Sequence, residues 1–133
     1  MNGPRSDMIT WSIFALVVFS VGCSALAQIA LKHGMAQTSV QVALGSDALL
    51  PIAVAIISNP FVVGGLMLYG GSAVVWLFVL ARLDVSVAYP FVALGFLITM
   101  ALGCFLLGED LTVRKVLGTL VVMLGVYLVA AAR

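Results

Sequence analysis

From Ile9 to about Leu31 the chain carries no charged side chain. At a rise of about 1.5 Å per residue, a helix of that length crosses a hydrocarbon core of about 30 Å. Lipid offers the backbone no hydrogen-bond partners, so a helix is the form such a run takes there. Three more long apolar runs follow, at about 61–81, 86–107 and 113–131. The expected fold class is therefore an all-α membrane protein with four transmembrane helices, spans one to four, in a single integral membrane domain over 1–133. A shorter apolar segment at about 48–57 is half the length a crossing needs, and it reads as an interfacial or re-entrant helix between spans one and two. Ser58-Asn59-Pro60 separates it from span two with a helix stop and a fresh start.

Composition agrees. Of 133 residues 64% are hydrophobic and 8% charged, too little polar surface for a soluble domain of this size. The net charge of +1 supplies no basic face for nucleic acid. Residues 1–8 form a short polar lead. Arg5, the apolar run and Ala25-Leu26-Ala27 also fit a secretory leader with its cleavage site, but three further long runs favour a retained span. Cys23 and Cys104 sit in apolar runs without metal or redox spacing and read as reduced packing residues.

Polar residues within span one are informative. Ser24, Gln28 and Lys32 recur every fourth position and form one stripe on an otherwise apolar helix. Such a stripe belongs against protein or a wet cavity, because unsatisfied polar groups in acyl chains are costly. Lys32 itself has two readings: a cation snorkelling from the helix end, or the docking cation for an anionic headgroup with Gln28 and Ser24 deeper in the groove. Arg82, in the turn Arg82-Leu83-Asp84, is a second candidate cation. Tyr89 and Pro90 place a hydroxyl and a loosened helix turn early in span three.

Small residues mark packing faces. Gly64, Gly65, Gly70 and Gly71 smooth span two, and Gly95, Thr99 and Gly103 form a small-xxx-small ridge on span three. Gly118 and Gly125 share one face of span four. The acids Asp7, Asp47, Asp84, Glu109 and Asp110 all fall at helix ends or in loops, and the single histidine, His33, has no nucleophile arranged beside it. No catalytic set converges, which argues against an enzyme, and no cofactor or metal is implied. With the N-terminus inside, one side collects Arg5, Arg82 and Arg133 and the other Lys32, Arg114 and Lys115. That balance does not orient the protein unless Lys32 is counted as part of the span.

The order of these segments resembles the drug/metabolite transporter superfamily, in particular its small four-span members of small-multidrug-resistance-like or EamA-like type. Leu83-Asp84-Val85-Ser86-Val87-Ala88-Tyr89-Pro90 is similar to their connection between spans two and three, and Gly108-Glu109-x-Leu111 to their loop before span four. Gly118-x6-Gly125-Val126 resembles the glycine pattern by which small multidrug resistance proteins dimerise. Two positions depart from those exporters. Ser24 stands where they carry a membrane-embedded glutamate, and Val92 where they carry a tryptophan. Ser24-x3-Gln28-x3-Lys32 and Ala88-Tyr89-Pro90 are instead similar to the aminoarabinose–undecaprenyl-phosphate flippase subunits.

That resemblance implies a dimeric transporter of the bacterial inner membrane, a homodimer or a heterodimer with a paralogue, moving a polyprenyl-phosphate-linked sugar or related anionic glycolipid between leaflets by alternating access. On it, Lys32, Gln28, Ser24, Tyr89 and Arg82 are the expected substrate contacts and Pro90 and Gly95 the hinge. Gly118, Gly125, Thr99 and Gly103 are the expected packing or dimer positions. The alternatives are a small multidrug or metabolite exporter, and a non-transporting subunit that stabilises a membrane glycosyltransferase or transporter.

Overall fold

The computed structural model describes residues 5–131, with side chains from Trp11 onward except that of Ala130. Residues 1–4 of the expected polar lead, and the side chains of Arg5, Asp7 and Arg133, lie outside the described residues. Six helices follow in order: α1 (Arg5–Met35), α2 (Thr38–Leu44), α3 (Leu49–Ile57), α4 (Pro60–Leu80), α5 (Val85–Leu107) and α6 (Val113–Ala131). By length and composition, Trp11–Met35, Pro60–Leu80 and Val85–Leu107 can each cross a membrane. The protein is an all-helical, multi-pass membrane protein.

Between α1 and α4 the sequence predicts one short helix, and the structure has two. The stretch 38–44 looks mixed and polar, yet α2 forms there and buries Val40 completely. One well-placed valine is too little pattern to announce a seven-residue helix. Likewise α1 runs past Leu31 through Lys32, His33 and Gly34, because those residues continue a helix already propagating. Nothing in α3 is buried.

Asn59 makes the joint between the short helices and α4. Its Oδ1 accepts from the backbone N–H groups of Phe61 and Val62 at 3.0 and 3.2 Å, capping α4, and Pro60 occupies the first turn where no N–H is needed. Its Nδ2 donates to the Gly34 carbonyl at 3.2 Å and to Gln37 Oε1 at 2.7 Å. One buried amide thus ties the end of α1 to the start of α4. Gly34 permits the approach, since a Cβ there would stand 2.9 Å from the Val62 backbone nitrogen.

α1 is the hub of the bundle. It packs along α4 on one side and α5 on the other, while α4 and α5 scarcely touch and α6 leans on α5. Val17, Val21 and Val79 form the buried core, with Trp76, Phe91 and Ile98 packed against it. Beyond these, and apart from Val40, Val62 and Asn59, the buried positions are small, among them Ala25, Ala27, Ala88, Ala93, Gly65 and Gly103. Large side chains such as Phe78 and Phe105 point outward instead. Hydrocarbon gives helices no hydrophobic drive to associate, so close backbone approach through small residues takes its place.

Candidate functional site

Because α1 separates α4 from α5 without closing the gap between them, a half-open cavity of about 240 Å³ lies among the three helices. α1 supplies Ser20, Ser24 and Gln28 to it, each one turn from the last. α4 contributes Ser72 and Trp76, and α5 contributes Thr99 beside Gly95, whose bare backbone admits Val21 of α1. None of the lining side chains is charged. Its walls are mostly apolar, and the polar groups set into them are hydroxyls, one amide and the Trp76 indole.

Its hydroxyls are wired in a definite direction. Ser20 Oγ donates to the Ser72 carbonyl at 2.8 Å, deep in the seam between α1 and α4. Ser72 Oγ donates to the Tyr69 carbonyl at 2.7 Å, which uses its only proton. The 2.8 Å contact between Ser24 and Ser72 is therefore donated by Ser24. Ser24 keeps acceptor capacity facing the cavity, and the Gln28 amide makes no hydrogen bond among the described residues. A guest with hydroxyl or amino groups would find both donors and acceptors here, and no fixed charge.

Lys32 lies one turn beyond Gln28, outside that cavity. A second, open cavity of about 490 Å³ surrounds it at the end of the bundle, shared with His33, Glu109, Asp110 and Lys115. The Lys32 ammonium donates to the Glu109 carboxylate in an ion pair that is partly exposed on both sides. Glu109 reaches it through a backbone device: Gly108 adopts the left-handed conformation at φ 65°, and the Glu109 N–H closes on the Gly103 carbonyl at 3.2 Å. The carboxylate then rests on Gly103, where a Cβ would stand 3.0 Å from Oε2. The hydrogen bond from Lys32 holds the Glu109 carboxyl below the usual carboxylate range, against partial desolvation and with help from the Lys32 and Lys115 charges. Lys115 donates to the Asp110 carbonyl at 2.9 Å.

Of the sequence-predicted contacts, then, Ser24 and Gln28 share one cavity and Lys32 stands just past it. Arg82 is exposed in the turn after α4, at the opposite end of the bundle. Tyr89 and Pro90 line a third opening of about 710 Å³ between α5 and α6, an almost wholly apolar gap that also includes Gly125. Helix α5 continues unbroken through Pro90. Thr99 faces the polar cavity, while Gly118 and Gly125 have nothing within contact of where a Cβ would be. Among the described residues no three His, Cys, Asp or Glu side chains are placed to hold a metal ion, and Cys23 and Cys104 are free thiols.

Sequence reasoning missed Ser20, Ser72 and the partner of Lys32. Ser20 continues the four-residue series one step back, so the signal was present in the spacing. Glu109 is 77 positions away from Lys32, and only the return path of α5 brings them together.

Residues 60–131 match the EamA-like transporter family. Among curated proteins, the chain is 40% identical over 70 residues to the probable 4-amino-4-deoxy-L-arabinose-phosphoundecaprenol flippase subunit ArnE of Pseudomonas fluorescens, covering 53% of this chain and 61% of that one. It is 32% identical over 112 residues to the corresponding probable flippase subunit ArnF of Serratia proteamaculans, covering 78% and 81%. It is also 30% identical over 117 residues to the uncharacterized protein y4nH of Sinorhizobium fredii, covering 86% and 92%. Against the ArnE subunits of Pseudomonas syringae and Enterobacter, the match spans 54% and 63% of the relative's length. No solved structure matches.

Proposed function

The chain belongs to the EamA-like transporter family, and from that premise we propose that it moves a polyprenyl-phosphate-linked sugar, or a related anionic glycolipid, between the leaflets of a bacterial inner membrane. One observation carries the reading: an uncharged hydroxyl-and-amide cavity holding Ser24 and Gln28 lies one helical turn from the ammonium of Lys32. The sugar takes the cavity, where Ser24 and Gln28 replace its water. The phosphate takes Lys32, and the prenyl tail leaves through the gap between α4 and α5 into the bilayer. An exporter of cations would be served by a carboxylate in the cavity, and the lining has none. The names of the ArnE and ArnF relatives point to the same substrate class.

In this reading α6 is the fourth crossing, and α2 and α3 lie at the interface. Two chains form the transporter, a homodimer or a pair of related subunits, with Gly118 and Gly125 of α6 sealing the contact and Thr99 and Gly103 supporting the helix packing. Pro90 and Gly95 allow α5 to rock between inward and outward states, with Tyr89 along the path. Arg82 receives the phosphate at the opposite membrane face.

The test is flipping of a polyprenyl-phosphate-linked amino sugar in liposomes, with the chain alone and with a second EamA-like subunit. Lys32→Ala and Gln28→Ala should each slow transport by about tenfold or more, the scale of a lost hydrogen bond to a charged or buried group. Parental rates in both variants would overturn the proposed site. The relatives are named as subunits, which favours one further reading, a stabilising subunit that carries nothing itself. Transport by the partner that survives Gln28→Ala but needs this chain present would select it.

A further inference from the structure

The charged end of the bundle contains more than a cation waiting for a ligand. Lys32 already holds an anion, the Glu109 carboxylate, and that carboxylate is delivered by a loop shaped for the purpose. Gly108 turns the chain in the left-handed region, the Glu109 N–H is fixed to the Gly103 carbonyl, and Gly103 leaves the space in which the carboxylate lies. The surrounding cavity of about 490 Å³ is open, and a second ammonium, that of Lys115, sits on its wall. Among the described residues the Lys115 ammonium donates to the Asp110 backbone carbonyl and to no carboxylate, while its charge acts on Glu109 across the cavity.

We propose that Glu109 is a resident competitor for the Lys32 site: it occupies the ammonium when no substrate is present and is displaced by the phosphate of an incoming anionic lipid. The proposal rests on the reading of the chain as a carrier of phosphate-linked lipids. The phosphodiester of such a lipid matches the single charge of the carboxylate and, arriving in a cavity walled by both ammonium groups, can engage Lys32 and Lys115 together. A ligand lacking that charge gains too little to open the pair. Glu109 thus sets a threshold that excludes uncharged headgroups and admits an anion able to reach both lysines. Release of the carboxylate also frees the loop between α5 and α6 from α1, which couples headgroup arrival to the freedom of the outer helix pair.

Farnesyl phosphate serves as the probe, its dissociation constant measured in detergent for the wild type, Glu109→Gln, Lys32→Gln and the double variant, with inorganic phosphate as the headgroup-only comparison. Glu109→Gln should bind farnesyl phosphate roughly three- to fivefold more tightly, the scale of an exposed ion pair. That gain should vanish in the Lys32→Gln background, because the two residues act on one site. Gly103→Ala keeps the charge but pushes the carboxylate off its seat, and should show part of the same gain while remaining folded by size exclusion. Equal or weaker binding by Glu109→Gln, a gain that persists without Lys32, or no binding by any variant would each overturn the proposal. Tightening with inorganic phosphate alone would mark the site as one for free anions and overturn the lipid-headgroup assignment. If competition is observed while the liposome assay stays silent, the transport reading falls and the competing carboxylate stands.

Discussion

The seam between α1 and α4 and the seam between α5 and α6 are built from the same residue types and end up unlike each other. In the first, Gly65 lies so close to α1 that a Cβ would stand 2.9 Å from Leu31 Cγ and 3.2 Å from the Ala27 carbonyl, and Ser20, Ser24 and Ser72 stitch the helices together. In the second, Gly118 and Gly125 meet nothing, and the helices stand apart around an apolar gap of about 710 Å³. Glycine permits close approach without causing it. What closes the inner seam is the pairing of a missing side chain with hydroxyls that satisfy one another in a medium without water. The outer seam has a Thr119 hydroxyl near Met100 sulfur at 3.7 Å and little else polar. Its glycine face is left over for another surface.

Adding one methyl group at each seam separates the two most sharply. Gly34→Ala would press a Cβ onto the Val62 backbone nitrogen and Asn59 Oδ1, neither of which can move without uncapping α4. Overpacking of that kind costs about 1–3 kcal/mol, and the loss should appear as a lowered midpoint in thermal unfolding in detergent. Gly118→Ala and Gly125→Ala should move the other way. With open space around them and a better helix former in place, the isolated chain should hold its midpoint or gain up to about 1 kcal/mol. A loss at Gly118 or Gly125 in the monomer comparable to that at Gly34 would end the distinction between the seams. A loss of assembly alone, seen by crosslinking in membranes, would sharpen it.

This contrast also marks what was legible in the sequence. Ser58-Asn59-Pro60 announced a stop and a start because capping is local chemistry, and the structure shows Asn59 in that role. The stripe of Ser24 and Gln28 was legible because a period of four on a helix fixes a face whatever the fold. Which of Gly64, Gly65, Gly70 and Gly71 would be used was not legible. All four look alike in the chain, and only Gly65 is turned toward α1. Gly103 reads as part of a helix-packing ridge with Gly95 and Thr99, yet its near neighbour is the carboxylate of Glu109 from the following loop. The left-handed turn at Gly108 folds the following loop back onto Gly103, a local contact that a helical ridge spacing does not announce.

Removing a hydroxyl from the inner seam should have a smaller effect than adding a methyl. Ser72→Ala deletes the acceptor for Ser24 and the bond to the Tyr69 carbonyl, but leaves the Ser72 backbone carbonyl to receive Ser20. Interhelical hydrogen bonds in membranes contribute about 0.6 kcal/mol on average, so the midpoint should fall only slightly. The same substitution leaves Ser24 without its partner, free to hydrogen-bond within the cavity. A destabilisation matching that of Gly34→Ala would mean that the serine wiring, and not close backbone approach, holds α1 to α4.

The smallest effect concerns a polar link that crosses from the inner pair to the outer one, between Lys32 and Glu109. The Glu109 carboxyl is held below its ordinary range by the Lys32 hydrogen bond, so folding favours its charged form. A depressed carboxyl contributes its stability in full above the unfolded value, about 4.3 for glutamate, and loses it as pH falls through the lower folded value. His33, Asp110 and Lys115 share the cavity, so the measurement must be a difference. The gap between the unfolding midpoints of the wild type and Glu109→Gln should be constant from about pH 8 to pH 5 and close as the pH is taken below about 4. A gap that opens on acidification would mean that the carboxyl is favoured protonated in the fold. The link would then be no ion pair, and Glu109 would add nothing electrostatic to the hold of α1 on the loop after α5.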